Sequence, residues 1–417
     1  MHGCVTHFIR SVQTASEREQ AMHASSILQR FLHEQCSFMH AKRQRCVAQI
    51  ALAACTTGLG VVKLGKALGS PEKLRHSIKC CDRLLSNPRF QQERVTVYRA
   101  LAGQVLRKVS TAAVIVDWSE LRADGSLQLL RAAVMAEGRA LTVYEEVHPQ
   151  NLLGSPIVQR LFMRRLKSVL PPTFRAIIIT DAGFRATWFH MLEQQKWLWI
   201  GRIRNRDMVC PEGSTGWVGA KTWYAKATLH PRHLGNFSYA RTNPVACNLT
   251  LHRRPPKQRH HKTKLGQPCR SSHSQKARAA QVEPWLLAVS PRLESLSADD
   301  VVRAYAGRMQ IEQTFRDLKS QRGALGLSSC QTRSAPRMAM LLLIGALATY
   351  ALWIIGLIMR RDGADIRYGN RKKSTPTLSV VALARFWLDQ KCHLKITRSQ
   401  LAKAGSELTS LIPAFQI

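Results

Sequence analysis

The chain has 417 residues, enough for two or three domains with cores of their own. Its 62 Lys and Arg against 26 Asp and Glu leave a formal charge of +36, a field that selects a polyanion because neutralised phosphates release counterions, though ribosomal and membrane-surface proteins share the trait. Eleven cysteines, an odd number without a C-x2-C pair, and an N-terminus without a secretory pattern point away from structural zinc and towards a reducing cytoplasm.

Residues 1–107 read as a helical domain. Ala41–Ala54 and Leu59–Leu68 form helices, the second ended by Gly69, Ser70 and Pro71, and Pro71 suits the first turn of a third helix, Pro71–Leu85. In that helix Leu74, Ile78, Cys81 and Leu85 make the buried stripe, and Arg75, Lys79 and Arg83 line an exposed one. A helix, a short Gly-containing turn and a basic second helix resemble a DNA-binding helix-turn-helix. The alternative is a merely solvated basic face.

From 108 to 205 the texture changes to alternating strands and helices. Ala112–Val116 is a short apolar strand ending in Asp117, and Leu127–Met135 with Arg139–Val147 reads as a strand pair around Glu137-Gly138. Val158–Leu170 is an amphipathic basic helix stopped by Pro171 and Pro172. Ala176–Thr180 is an apolar strand ending in Asp181, followed by a helix, Thr187–Gln195, and a strand, Trp197–Ile203.

Residues 206–297 read as a basic, β-rich insertion. Between Gly213 and Val282 there is no Asp or Glu, yet His252–Lys264 reads HRRPPKQRHHKTK. Thr222–Thr228 and Ala246–Leu251 are strand-like, and the run between them and Val282 reads as an exposed arm. His260 and His261 belong to this arm rather than to a metal site.

Residues 298–365 return to the core and 366–417 form a C-terminal helical region. Met338–Met359 has 22 residues without a charge, long enough to cross a bilayer. A buried core helix, with Tyr350 and Trp353 filling space, is the preferred reading, since no other segment resembles a span.

Within Val301–Lys319, Tyr305, Arg308, Glu312 and Lys319 follow Y-x2-R-x3-E-x6-K. On a single helix these four share a polar arc of ~60°, with Ala304, Ile311, Phe315 and Leu318 on an apolar arc beside it. Asp117 and Asp181 at the ends of adjacent parallel strands, with Glu312 on a helix laid across them, make an oxygen-donor set suited to two Mg²⁺ or Mn²⁺ ions. Each carboxylate alone reads as a turn residue, a helix cap or a solvated face; the three together carry the argument.

These motifs resemble the bacterial insertion-sequence DDE transposases of the cut-and-paste, hairpin-forming group with the YREK signature. More narrowly, the chain is similar to transposases of tetracycline-resistance composite transposons. The resemblance lies in VDWSELR at Val116–Arg122, TDAGF at Thr180–Phe184, EPWLLA at Glu283–Ala288 and RMQIEQTFRDLKS at Arg308–Ser320. It implies an α/β RNase H-like core carrying the β-rich insertion, preceded by an all-α DNA-binding domain and followed by C-terminal helices with dimer or synapsis contacts.

The resemblance also implies roles. Asp117, Asp181 and Glu312 become the catalytic, metal-binding triad; Tyr305, Arg308 and Lys319 contact DNA phosphates; Trp285 and Met309 hold or replace a nucleotide turned out of the stack. Core packing is the other reading of Trp285. The partners implied are double-stranded DNA, at transposon ends and target, and a second copy of the chain in the synaptic complex; no membrane is involved. The place implied is the bacterial cytoplasm, at the nucleoid. A nuclease of the same fold and a catalytically decayed DNA-binding regulator are the alternatives.

Overall fold

The computed structural model describes residues 22–23, 25–69, 73–205, 207–255, 267, 271–272, 283–320, 325–369, 378–389 and 395–417. The run 256–264 of the basic arm, with His260 and His261, lies outside them, as do Pro71 and Gly323.

Among the described residues, ten strands make one mixed sheet. They are β1 (Thr111–Glu120), β2 (Leu127–Met135), β3 (Ala140–Pro149), β4 (Arg175–Thr180), β5 (Leu198–Ile203), β6 (Met208–Pro211), β7 (Val218–Gly219), β8 (Arg232–Tyr239), β9 (Val245–His252) and β10 (Trp285–Val289). Their order is β3-β2-β1-β4-β5-β10-β9-β8-β6-β7. β1 with β4 and β4 with β5 are parallel; the hairpins β1-β2-β3 are antiparallel. This mixed α/β arrangement is consistent with an RNase H-like core. The segment expected as an insertion extends the same sheet, because Leu286 pairs with Ile203 and Val289 with Ile200 on β5.

The helices are α1 (Ser25–Gln35), α2 (Ala41–Thr57), α3 (Val61–Leu68), α4 (Leu74–Leu85), α5 (Pro88–Val105), α6 (Pro156–Val169), α7 (Ala186–Gln194), α8 (Ala298–Ala306), α9 (Met309–Lys319), α10 (Ala335–Arg361), α11 (Ala364–Tyr368), α12 (Val380–Asp389) and α13 (Arg398–Ser410). α2 and α3 meet at a 108° bend. Gly58 makes that bend possible: its φ is +80°, and a Cβ there would lie 2.6 Å from the Leu325 carbonyl oxygen. α3 then packs so tightly on α4 that a Cβ at Gly65 would lie 2.5 Å from Ile78 Cγ1.

Among the described residues, α10 is the helix long and apolar enough to cross a bilayer. It is apolar all round, with a mean hydropathy of 2.4, but 89% of its apolar window is buried. α2, α5, α12, α13 and β3 cover it from several sides, and a helix apolar on every face is stable in water only when so surrounded.

Three expectations are corrected. β1 does not end at Asp117 but runs to Glu120, since Trp118, Ser119 and Glu120 keep pairing with Leu130, Leu129 and Gln128 of β2. Thr222–Thr228 is no strand; Ala220–Lys226 is a 3-10 helix. Val301–Lys319 is not one helix but α8 and α9, separated at Gly307 and Arg308. There the backbone tightens to i→i−3 bonds, Arg308 N–H to Tyr305 O at 3.0 Å and Ile311 N–H to Arg308 O at 3.1 Å. Gly307 sits against Met135, with no room for a Cβ.

Candidate active site

Two apolar strands bring the aspartates together. β1 and β4 run parallel with Ile115 beside Ile179, and two residues further along each chain stand Asp117 and Asp181. Side chains alternate with period two, so Asp117 shares the Ile115 face of β1. Asp181 stands just past the end of β4, and the two strands are spaced by ~4.8 Å, near enough for its charge to act on Asp117. Asp117 is buried within β1, where the Trp118 N–H donates to its Oδ1 at 2.9 Å. Asp181 begins the turn after β4, and the Gly183 N–H donates to its Oδ1 at 2.8 Å.

α9 brings in the glutamate. Ile311, Phe315 and Leu318 are buried against the sheet. Thr314 locks the register: the Ala140 N–H donates to its Oγ1 at 3.0 Å. An ion pair between Arg139 and Asp317 fastens the same helix to the start of β3. Beneath Phe315, 5.1 Å from the ring centre, lies the Arg131 guanidinium.

Arg308 joins the two parts. Its Nη1 donates to Asp117 Oδ2 at 2.9 Å and its Nη2 to Glu312 Oε1 at 2.9 Å. The Asp117 and Arg308 side chains are 12% and 13% exposed, whereas that of Glu312, though paired with Arg308, is 42% exposed. Burial pushes the Asp117 carboxyl up, and the Asp181 charge adds to this; Arg308 and the Trp118 N–H only partly offset them, leaving it at about 7. For Arg308, burial opposes the charge, but Tyr305, Asp117, Glu312 and Asp181 outweigh it and hold the guanidinium protonated. The site therefore carries carboxylates in excess of the single cation between them.

The other sequence-picked residues fall into two groups. Tyr305 is buried, its ring 4.8 Å from that of Trp285 and 5.9 Å from the Arg308 guanidinium. Trp285 is itself only 6% exposed, with Arg254 stacked over it at 4.6 Å. Met309 is 44% exposed at the rim. Lys319 donates to Ser119 Oγ at 2.8 Å, so it too faces β1. Arg75, Lys79 and Arg83 are exposed on α4, away from this site.

A family model described as the transposase DDE domain matches residues 110–349, more than half of the chain. The chain belongs to the transposase DDE domain family. No curated protein matches it. DDE transposases are nucleases that generally use divalent metal ions. Among the described residues, no three His, Cys, Asp or Glu side chains stand together as a ready cage for one; Arg308 lies between Asp117 and Glu312 instead. The donor chemistry nevertheless fits Mg²⁺ or Mn²⁺, since every candidate ligand is a carboxylate oxygen.

Residues that the sequence reading missed hold this candidate site in shape. Arg131 and Glu145 form a buried ion pair at 2.6 Å, with side chains 4% and 1% exposed. The signal was present: a charged residue in the middle of the apolar strand LQLLRAAVM requires a buried partner. Ser119 as the partner of Lys319, and Arg254 as the cover of Trp285, carried no such signal.

Proposed function

We propose that this transposase excises an insertion sequence by the cut-and-paste route. It binds the terminal inverted repeats, cuts through hairpin ends and joins the freed 3′-OH to target DNA. One observation carries this reading: Asp117 on β1 and Asp181 just past the end of the parallel β4, with Glu312 tethered to Asp117 through Arg308, inside the family-matched span. Asp117, Asp181 and Glu312 are assigned as the catalytic carboxylates and as ligands of two Mg²⁺ ions, for which Mn²⁺ substitutes. When bound, such ions supply activation of the attacking oxygen and stabilisation of the leaving one.

The remaining steps belong to the protein. The Trp118 and Gly183 N–H groups fix Asp117 and Asp181, so their oxygens are oriented before any ligand arrives. Arg308 holds Asp117 and Glu312 together through its two Nη donors, and its guanidinium is the group that would meet a DNA phosphate. Lys319, half-buried beside Ser119, supplies a second cation on the same side. Tyr305 acts through Arg308, against whose guanidinium its ring rests. Met309 at the open rim suits insertion into an unstacked step of DNA; Trp285 reaches a flipped base only if Arg254 swings aside.

Residues 1–107 are assigned to end binding through the α3-turn-α4 unit and Arg75, Lys79 and Arg83. Residues 108–205 and 298–365 are assigned to the RNase H-like core, 206–297 to the basic insertion and 366–417 to contacts in a homodimeric synapse. The YREK pattern and the cytoplasmic, nucleoid-associated setting complete the reading.

The test is cleavage of end-containing DNA by the purified chain with Mg²⁺. Nicks at the element boundary followed by hairpins and joined products support the reading. Cleavage without 3′-OH joining makes the chain a nuclease, and binding without cleavage makes it a decayed regulator.

A further inference from the structure

The basic face of α6 has no part in the site just described. Val158, Phe162, Met163, Leu166 and Val169 are buried on one side of this helix, leaving Arg160, Arg164 and Lys167 exposed on the other at i, i+4 and i+7. Across a groove of about 300 Å³ stand Met191 and Gln194 of α7 and then Gln195. The groove continues past Lys167 and Gln195 into a larger one of about 770 Å³, which gathers Lys196 and Arg175 over a floor that includes Pro171, Phe174 and Trp197. Lys196 has a φ of +57°, a left-handed turn that few lysines adopt.

Among the described residues, no carboxylate lines either part of the groove. Glu193 on α7, beside the groove, is already engaged, by Arg292 at 2.8 Å, Trp199 Nε1 at 2.6 Å and Ser290 Oγ at 2.9 Å. Among the described residues Arg160, Arg164, Lys167, Arg175 and Lys196 form no ion pair. Five uncompensated cations along one channel repel each other, and a soluble chain keeps such a surface stable most easily with an anion on it.

The position excludes the scissile phosphate. Arg175 opens β4, and Asp181 follows its other end after six residues, ~20 Å away at strand rise. The groove therefore lies at the opposite edge of the sheet from the carboxylates. Its cations are exposed rather than enclosed, so it suits a spaced polyanion and not a small ion. Arg160 to Lys167 spans ~10 Å of helix, which matches about three phosphates of one strand at ~3.4 Å of rise each.

We infer that this groove is a second duplex-DNA site, gripping backbone phosphates of a segment distinct from the one at Asp117, Asp181 and Glu312. The inference rests on the transposase reading and adds a surface to it. The grip is on phosphates, since exposed Arg and Lys side chains supply the charge along the groove.

The experiment uses the full chain without divalent metal and a long duplex of random sequence. A variant carrying Arg160→Gln, Arg164→Gln, Lys167→Gln and Lys196→Gln should lower the slope of log affinity against log salt by about 3–4, at about 0.9 per lost phosphate contact. In parallel, amine labelling of the unaltered chain, read by mass spectrometry, should show Lys167 and Lys196 protected several-fold when the duplex is added. Unchanged slope with unchanged labelling overturns the second site while leaving DNA binding at the carboxylate edge intact. Protection by an acidic protein and not by DNA overturns it as well. An unaltered chain that binds no duplex at all overturns the transposase reading and this inference with it.

Discussion

Replacing Arg131 with Met removes the buried cation that supports the Glu312 helix from below. Arg131 donates from Nε to Glu145 Oε2 at 2.7 Å, and the Tyr98 hydroxyl donates to Glu145 Oε1 at 2.7 Å. With the side chains 4% and 1% exposed, no water replaces the lost donor. Glu145 is then a buried charge held by one hydroxyl, and breaking such a pair costs ~3–5 kcal/mol. Adding Glu145→Leu removes the stranded charge and leaves only the Tyr98 hydroxyl without its acceptor, a loss of ~1–3 kcal/mol. Urea titrations followed by tryptophan fluorescence should therefore find the double variant more stable than Arg131→Met alone. A double variant that loses the sum of the two single losses would refute the reasoning, as would an Arg131→Met loss below ~1 kcal/mol.

Gly65→Ala places a Cβ 2.5 Å from Ile78 Cγ1 and 2.7 Å from Ile78 Cα; overpacking of ~1–3 kcal/mol should outweigh the gain of ~1 kcal/mol in helix propensity. Thermal unfolding checks this, and a raised midpoint would contradict the tight α3-α4 contact. Lys79→Ala with Arg83→Ala should weaken binding to terminal-repeat DNA and lower its salt slope by ~1–2; an unchanged slope would assign α4 a solvated face. Burial pushes the Glu146 carboxyl up, but hydrogen bonds from His148, Tyr144 and Arg165 outweigh it and bring it to about 2 from 4.5. A carboxyl held below its unfolded value stabilises the fold above pH ~4.5 and loses that contribution as pH falls towards ~2. Urea midpoints across this window should fall more steeply in the unaltered chain than in Glu146→Gln, and parallel curves would count against the network.

The aspartates were legible because each follows a short apolar run, and two fully buried strands in such a pattern pair in parallel. Val114 and Ile178 sit in register as that pattern requires. The helix carrying Glu312 was legible in its apolar spacing, yet its single-helix geometry was not. A 3-10 turn at Gly307 leaves the same residue spacing in the sequence while changing the angle between Tyr305 and Glu312, and so Tyr305 is buried rather than displayed beside it. The strand expected at Thr222–Thr228 failed for a related reason: local β propensity says nothing of the turn that Gly219 and the Tyr224–Glu283 contact impose. The hydrophobic run in α10 favoured burial without saying by what. Helices far away in sequence decide that, and none of their spacing reveals it.

Manganese binding to the DNA-bound chain, followed by electron paramagnetic resonance, tests most directly whether Asp117, Asp181 and Glu312 act as one metal centre. The account predicts that Asp117→Asn, Asp181→Asn and Glu312→Gln each remove tightly bound Mn²⁺ and cleavage together while DNA binding persists. Tight Mn²⁺ binding that survives all three substitutions would contradict it.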